Sequence, residues 1–162
     1  MSLNNYLKVV GFIIVLFILG CSNSVTLSTP AKIGEKERIK VITGKQAAQV
    51  VDKMHGQSVA ADANVIAEYG REKKDLLYIS YYADQDQASE AFNLMIEKMA
   101  AAKKGPFFHL MPLDKHGNNV YFTLGMGASH YIYLSGRYLL WFQTYQSFGD
   151  SFPRQLLELY PV

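Results

Sequence analysis

The sequence predicts an α+β domain: an antiparallel sheet of about five to six strands, with two main helices on one face and a short C-terminal helix. Three observations lead there. The apolar period switches from three or four residues to two, back again, and then stays at two through the last third of the chain. Turn residues punctuate those switches. Aromatic residues make up 13% of the 162 residues, which favours sheet. With 49% apolar and 19% charged residues the chain has material for both a core and a solvated surface, so disorder does not describe it. The order of elements, helix, two strands, helix, four strands and short helix, favours a sheet over a closed barrel.

Thr43-Gly44-Lys45-Gln46 has the form of a capping box, and Ala47, Val50, Val51 and Met54 then recur on one helical face before Gly56. Val59 to Tyr69 reads as a strand, weakened by Asp62 and Asn64. Arg71-Glu72-Lys73-Lys74-Asp75 reads as a solvated hairpin turn. Leu76 to Ala83 alternates as a strand, with Leu77, Ile79 and Tyr81 sharing a face. Asp84 and Gln87 repeat the capping pattern ahead of the longest helical stripe, Ala88, Ala91, Phe92, Met95, Met99 and Ala102. Lys103 and Lys104 suit the negative end of that helix, and Gly105-Pro106 ends it. Strands follow at Phe107–Leu113, Val120–Met126, His130–Ser135 and Tyr138–Tyr145, the last two joined by Gly136-Arg137. Pro153 to Leu159 predicts the short final helix.

The N-terminus has a different character. Met1 to Lys8 is short and polar, and Val9 to Leu19 is an apolar run the length of a signal-peptide core, too short for the roughly 20 residues that span a bilayer. The run ends in Ile18-Leu19-Gly20-Cys21. This tetrad resembles the lipobox of bacterial lipoproteins, in which the chain is cut before a cysteine that carries diacylglycerol. Gly20 fits that pattern, whereas Ile18 and Leu19 depart from its commonest residues. The resemblance covers residues 1–21 and implies lipid attachment at Cys21, a membrane partner and a cell-envelope location. Ser22 after the cysteine implies, by the same resemblance, the outer membrane facing the periplasm in a Gram-negative source. A buried cysteine closing an ordinary apolar helix, or an uncleaved anchor, are the competing readings.

Cys21 is the only cysteine, so lipidation leaves no thiol and no disulfide. Removing 20 of 162 residues leaves 142, enough to bury a core without staples. Lys8 is the one charged residue removed, so 15 basic residues face 14 acidic ones. That near balance gives no nucleic-acid footprint. Ser22 to Arg38 is rich in Ser, Thr, Pro and charge and predicts a flexible tether with a reach of about 20 to 25 Å. The expected organisation is a signal peptide at 1–20, a lipidated cysteine and tether at 21–38, and a single domain at 39–162.

No cofactor is indicated by any motif. Walker and His-Glu-x-x-His patterns do not occur, and Gly125-Met126-Gly127 reads as a turn. A hydrolase site could draw on Ser129, His130 and Asp114, but adjacent strand residues point to opposite faces. A copper-binding envelope protein is a second alternative: His109 lies two residues before Met111, and Met126 four before His130, and thioether with imidazole suits Cu(I). The leading expectation is a binding or scaffolding domain. Tyr131 and Tyr133 alternate with Ile132 and Leu134, so one face is aliphatic core and the other a tyrosine-rich surface. With Trp141 and Tyr145 these tyrosines form the expected docking face for an envelope protein or glycan, the competing reading being cross-strand aromatic pairing that merely stabilises the sheet.

Overall fold

The computed structural model describes residues 25–55, 61–113, 119–146 and 153–162. Cys21, the apolar run before it, Asp114 and His116 lie outside them. The chain forms β1 (Lys32–Ile33), β2 (Lys36–Thr43), α1 (Gly44–His55), β3 (Ala63–Tyr69), β4 (Asp75–Tyr81), α2 (Gln85–Ala101), β5 (Phe107–Pro112), β6 (Val120–Gly125), β7 (Ala128–Ser135), β8 (Tyr138–Thr144) and α3 (Arg154–Leu159). All strand pairings are antiparallel, in the order β1-β2-β3-β4-β8-β7-β6-β5.

The expected sheet of five to six strands is therefore corrected to eight, curled into a half-barrel. Of the described residues 42% are strand and 30% helix, so the sheet dominates the architecture. The two additional strands are β1 and β2, and they take up residues 32–33 and 36–38 of the segment expected as tether. They were hidden because β2 is exposed along nearly its whole length, so it shows no alternation of buried and open positions. Register shifts between Arg38 and Lys40 in β2, and between Phe108 and Met111 in β5, bend the sheet near its two edges.

Curling gives the sheet two buried faces instead of one. On the outer face α1 packs through Ala47 and Val51 onto Ile66, with Ile42 and Tyr78 beside them. Further along, α2 sets Phe92 edge-on against Tyr121, ring centres 5.9 Å apart. The register Tyr121↔Ile132↔Trp141↔Tyr78 places these residues on the same side as Ile66. The two main helices thus share one face. The inner face holds the larger core: Val65, Ala67, Tyr69, Leu77, Ile79, Tyr131, Tyr133, Leu140 and Phe142. Leu156 and Tyr160 from α3 and its end, with Leu27 from the N-terminal segment, close that concavity.

Local chemistry explains most element boundaries. The Asp84 carboxylate accepts from the backbone N–H of Asp86 at 2.7 Å and of Gln87 at 3.4 Å, fixing the start of α2. Asn64 and Ser80 are buried in the register pair Asn64↔Ser80, and the serine hydroxyl donates to the Asn64 amide oxygen at 2.7 Å. That bond removes the polar objection to β3. Met126 and Gly127 form a two-residue turn between β6 and β7, both at positive φ, the geometry whose twist suits a tight hairpin.

Candidate functional site

Two arrangements of polar and aromatic groups lie on opposite faces of the β5–β8 half of the sheet. On the outer face His130 is buried, 1% exposed, between two aromatic rings. Phe107 meets the imidazole edge-on at 5.0 Å and the Trp141 ring at 5.2 Å. Gly125 permits this, because a Cβ there would collide with the Phe107 ring and the Pro106 carbonyl. The Trp141 indole N–H donates to His130 Nδ1 at 3.0 Å, so Nδ1 carries the lone pair and Nε2 the proton. Nε2 then donates to the Gly125 carbonyl, also at 3.0 Å. The ring is a neutral, fully engaged bridge between β7, β8 and the end of β6.

Burial holds the His130 imidazole below the ordinary histidine value, opposed by its hydrogen bond to Gly125. The unfolded chain therefore takes up this proton at higher pH than the folded one. Stability falls as pH drops below about 6.5, until the folded ring is itself protonated. The unfolding free energy is expected to be level between pH 8 and 7 and to decline from about pH 6.5 toward 5, by up to about 1.4 kcal/mol per pH unit from this group. His130→Gln should flatten that decline. Equal slopes in the two proteins would assign the pH dependence to other groups.

The second arrangement is a shallow cleft of about 280 Å³ at the end of the half-barrel, lined by Phe108, Leu124, Ser129, Thr144, Tyr145 and Gln146 among others. Its wall at Tyr145-Gln146 is organised by a buried carboxylate. Asp75 opens β4 with no exposed side-chain surface. It accepts from Lys36 Nζ at 2.7 Å, from the Tyr145 backbone N–H at 3.0 Å and from Gln146 Nε2 at 2.5 Å. The Thr144 hydroxyl accepts from the Gln146 backbone N–H, and the Lys36 ammonium sits 6.0 Å from the Tyr145 ring centre. Asp75 was expected in a solvated turn. Its alternation with Leu77, Ile79 and Tyr81 already placed it on the inward face, a signal the neighbouring charges masked.

The expected docking face is not assembled. Tyr131 and Tyr133 are 1% and 0% exposed, inside the half-barrel. Trp141 pairs with Ile132 and so lies on the other face, half-buried against His130. Tyr145 alone of the four is exposed, at the cleft. Within β7 alternation separates Tyr131 and Tyr133 from Ile132 and Leu134, but the curl makes the tyrosine side a second core that also holds Leu77, Ile79 and Leu140.

The expected metal set is not assembled either. Both nitrogens of His130 are engaged within the fold, which removes it as a ligand. Met126 is exposed at the β6–β7 turn and Met111 on the edge strand. His109 sits at positive φ within the β5 irregularity, so it does not alternate regularly with Met111. Among the described residues no group of three or more His, Cys, Asp or Glu side chains could hold a metal ion. For the hydrolase alternative, Ser129 lies on the inner face opposite Leu124 and Thr144, with His130 on the outer face. No helix of the described residues is long and apolar enough to cross a membrane. Comparison with family models, with curated proteins and with solved structures returns no match.

Proposed function

We propose that the chain is a lipid-anchored protein of the bacterial cell envelope whose half-barrel domain binds or scaffolds and does not catalyse. The observation that carries this reading is Ile18-Leu19-Gly20-Cys21 at the end of the apolar run, with Cys21 the only cysteine in the chain. The character of the buried polar groups supports the second half. His130 joins three strands, Asp75 joins β2, β4 and the chain after β8, and the Asn64–Ser80 bond joins β3 to β4. Each holds structure together. The cleft beside Tyr145 offers exposed apolar surface on Phe108 and Tyr145 and hydrogen-bonding groups on Ser129, Thr144 and Gln146. That mixture suits a short amphipathic segment of an envelope protein or a glycan.

Cys21→Ser is expected to abolish incorporation of labelled fatty acid and to leave the precursor uncut, with the protein lost from the membrane fraction. Two acyl chains at about 0.8 kcal/mol per buried methylene anchor a protein firmly, so the difference in fractionation should be nearly complete. Undiminished labelling of the variant would overturn the anchor.

A further inference from the structure

We infer that the domain lies directly on its membrane, with the layer made by α3 and the N-terminal segment facing the lipid headgroups and the α1/α2 face turned away. The inference rests on the lipid-anchor reading and adds to it an orientation and a contacting surface.

The N-terminal segment is part of the fold from Leu27 onward. Leu27 packs against the inner core. The Ser28 carbonyl accepts from the Tyr160 hydroxyl at 2.7 Å, the Pro30 carbonyl from the Tyr69 hydroxyl at 3.0 Å, and the Ala31 carbonyl from the Arg38 backbone N–H at 2.8 Å. Thr29 receives the Arg38 guanidinium through both its carbonyl and its hydroxyl. Ile33 follows, fully buried. The connection to Cys21 is therefore shorter than residues 22–38, and only residues 22–26 separate the lipidated cysteine from Leu27.

Six Cα steps reach at most about 20 Å fully extended. The 136 residues from Leu27 to Val162 correspond to a radius of gyration of about 14 Å. The leash is thus no longer than the body it holds, and the side from which it emerges stays toward the membrane. That side is the inner-face layer, since Leu27 packs against the inner cluster that Leu156 and Tyr160 help to close, and the neighbouring Ser28 carbonyl takes the Tyr160 hydroxyl. The helices α1 and α2 lie across the sheet from it. The same layer leaves Val25, Leu159 and Val162 exposed, apolar side chains able to rest at the headgroup level.

The test uses the lipidated chain reconstituted in vesicles with a headgroup-attached acceptor dye. Lipidation consumes Cys21, so one added thiol is the sole labelling site. Glu158→Cys on the exposed side of α3 and Asn93→Cys on the exposed side of α2 each receive a donor dye. Energy transfer at position 158 is expected to exceed that at 93 by roughly twofold or more, because sheet and helix layers separate them by about 20 Å. Inserting about 20 Gly/Ser residues between Ser24 and Val25 should abolish the difference. Equal transfer at the two positions in the parent, or a difference that survives the insertion, overturns the orientation while leaving the anchor standing. Failure of the parent to float with vesicles overturns the anchor reading and this inference with it.

Discussion

Replacing Lys36 with methionine is expected to destabilise the folded domain by about 3 kcal/mol, a large fraction of the 5–15 kcal/mol that typical domains possess. The Asp75 carboxylate has no exposed surface, and among the described residues Lys36 is its one charged partner, at 2.7 Å. The Tyr145 and Gln146 donors stabilise the anion but do not neutralise it. Without the ammonium a buried charge is left uncompensated, for which losses run to about 3–5 kcal/mol. The Lys36 side chain keeps 21% of its surface, so water reaches that end of the pair and the lower figure applies. Asp75→Asn keeps the shape and an acceptor oxygen, and should cost about 1–3 kcal/mol. The double variant should be more stable than the sum of the single losses implies, because each removal relieves the other. Denaturant midpoints at constant slope measure all three. A Lys36→Met midpoint within error of the parent would show that the pair does not hold this end of the sheet.

The double variant Tyr131→Ala, Tyr133→Ala is expected to abolish the cooperative unfolding transition. Large aromatic-to-alanine changes in a packed core cost about 3–5 kcal/mol each. These two side chains lie two residues apart on the inner face, where they pack with Phe142 and Leu156. Tyr131 meets Phe122 at 5.4 Å and lies stacked on Phe142 at 6.4 Å. Even with sub-additivity between neighbours, the sum approaches the whole stability of an ordinary domain. Tyr133→Phe gives the contrast: it loses only the hydroxyl that donates to the Leu156 carbonyl at 3.3 Å, at about 1 kcal/mol. Near-ultraviolet circular dichroism during a thermal scan reads both outcomes. A double variant that melts as the parent does would return these tyrosines to the surface.

The contrast between the two halves of the chain explains what the residues disclose. Features set by neighbours in sequence were legible: the Asp84 cap, the Gly136-Arg137 hairpin, and the alternation of Leu77, Ile79 and Tyr81. What alternation cannot state is which of two faces is inside, and for Tyr131 and Tyr133 that depended on β1, β2 and α3 arriving from distant parts of the chain. The cleft was illegible for the same reason. Phe108, Ser129 and Gln146 converge only after four strands have paired, and the Asp75 that shapes one wall bonds to residues 70 and 71 positions away.

Among the described residues the sheet does not close, and β5 is an edge strand with Phe108 and Met111 exposed. Such a rim normally invites another chain to add a strand. Here the row of donors and acceptors is broken twice: the register slips where His109 adopts positive φ, and Pro112 brings no N–H. An incoming strand therefore meets an interrupted ladder. Under the proposed lipid anchor, copies confined to a membrane would meet one another far more often than in bulk solution, and a broken rim would let neighbours collide side by side without knitting into fibrils.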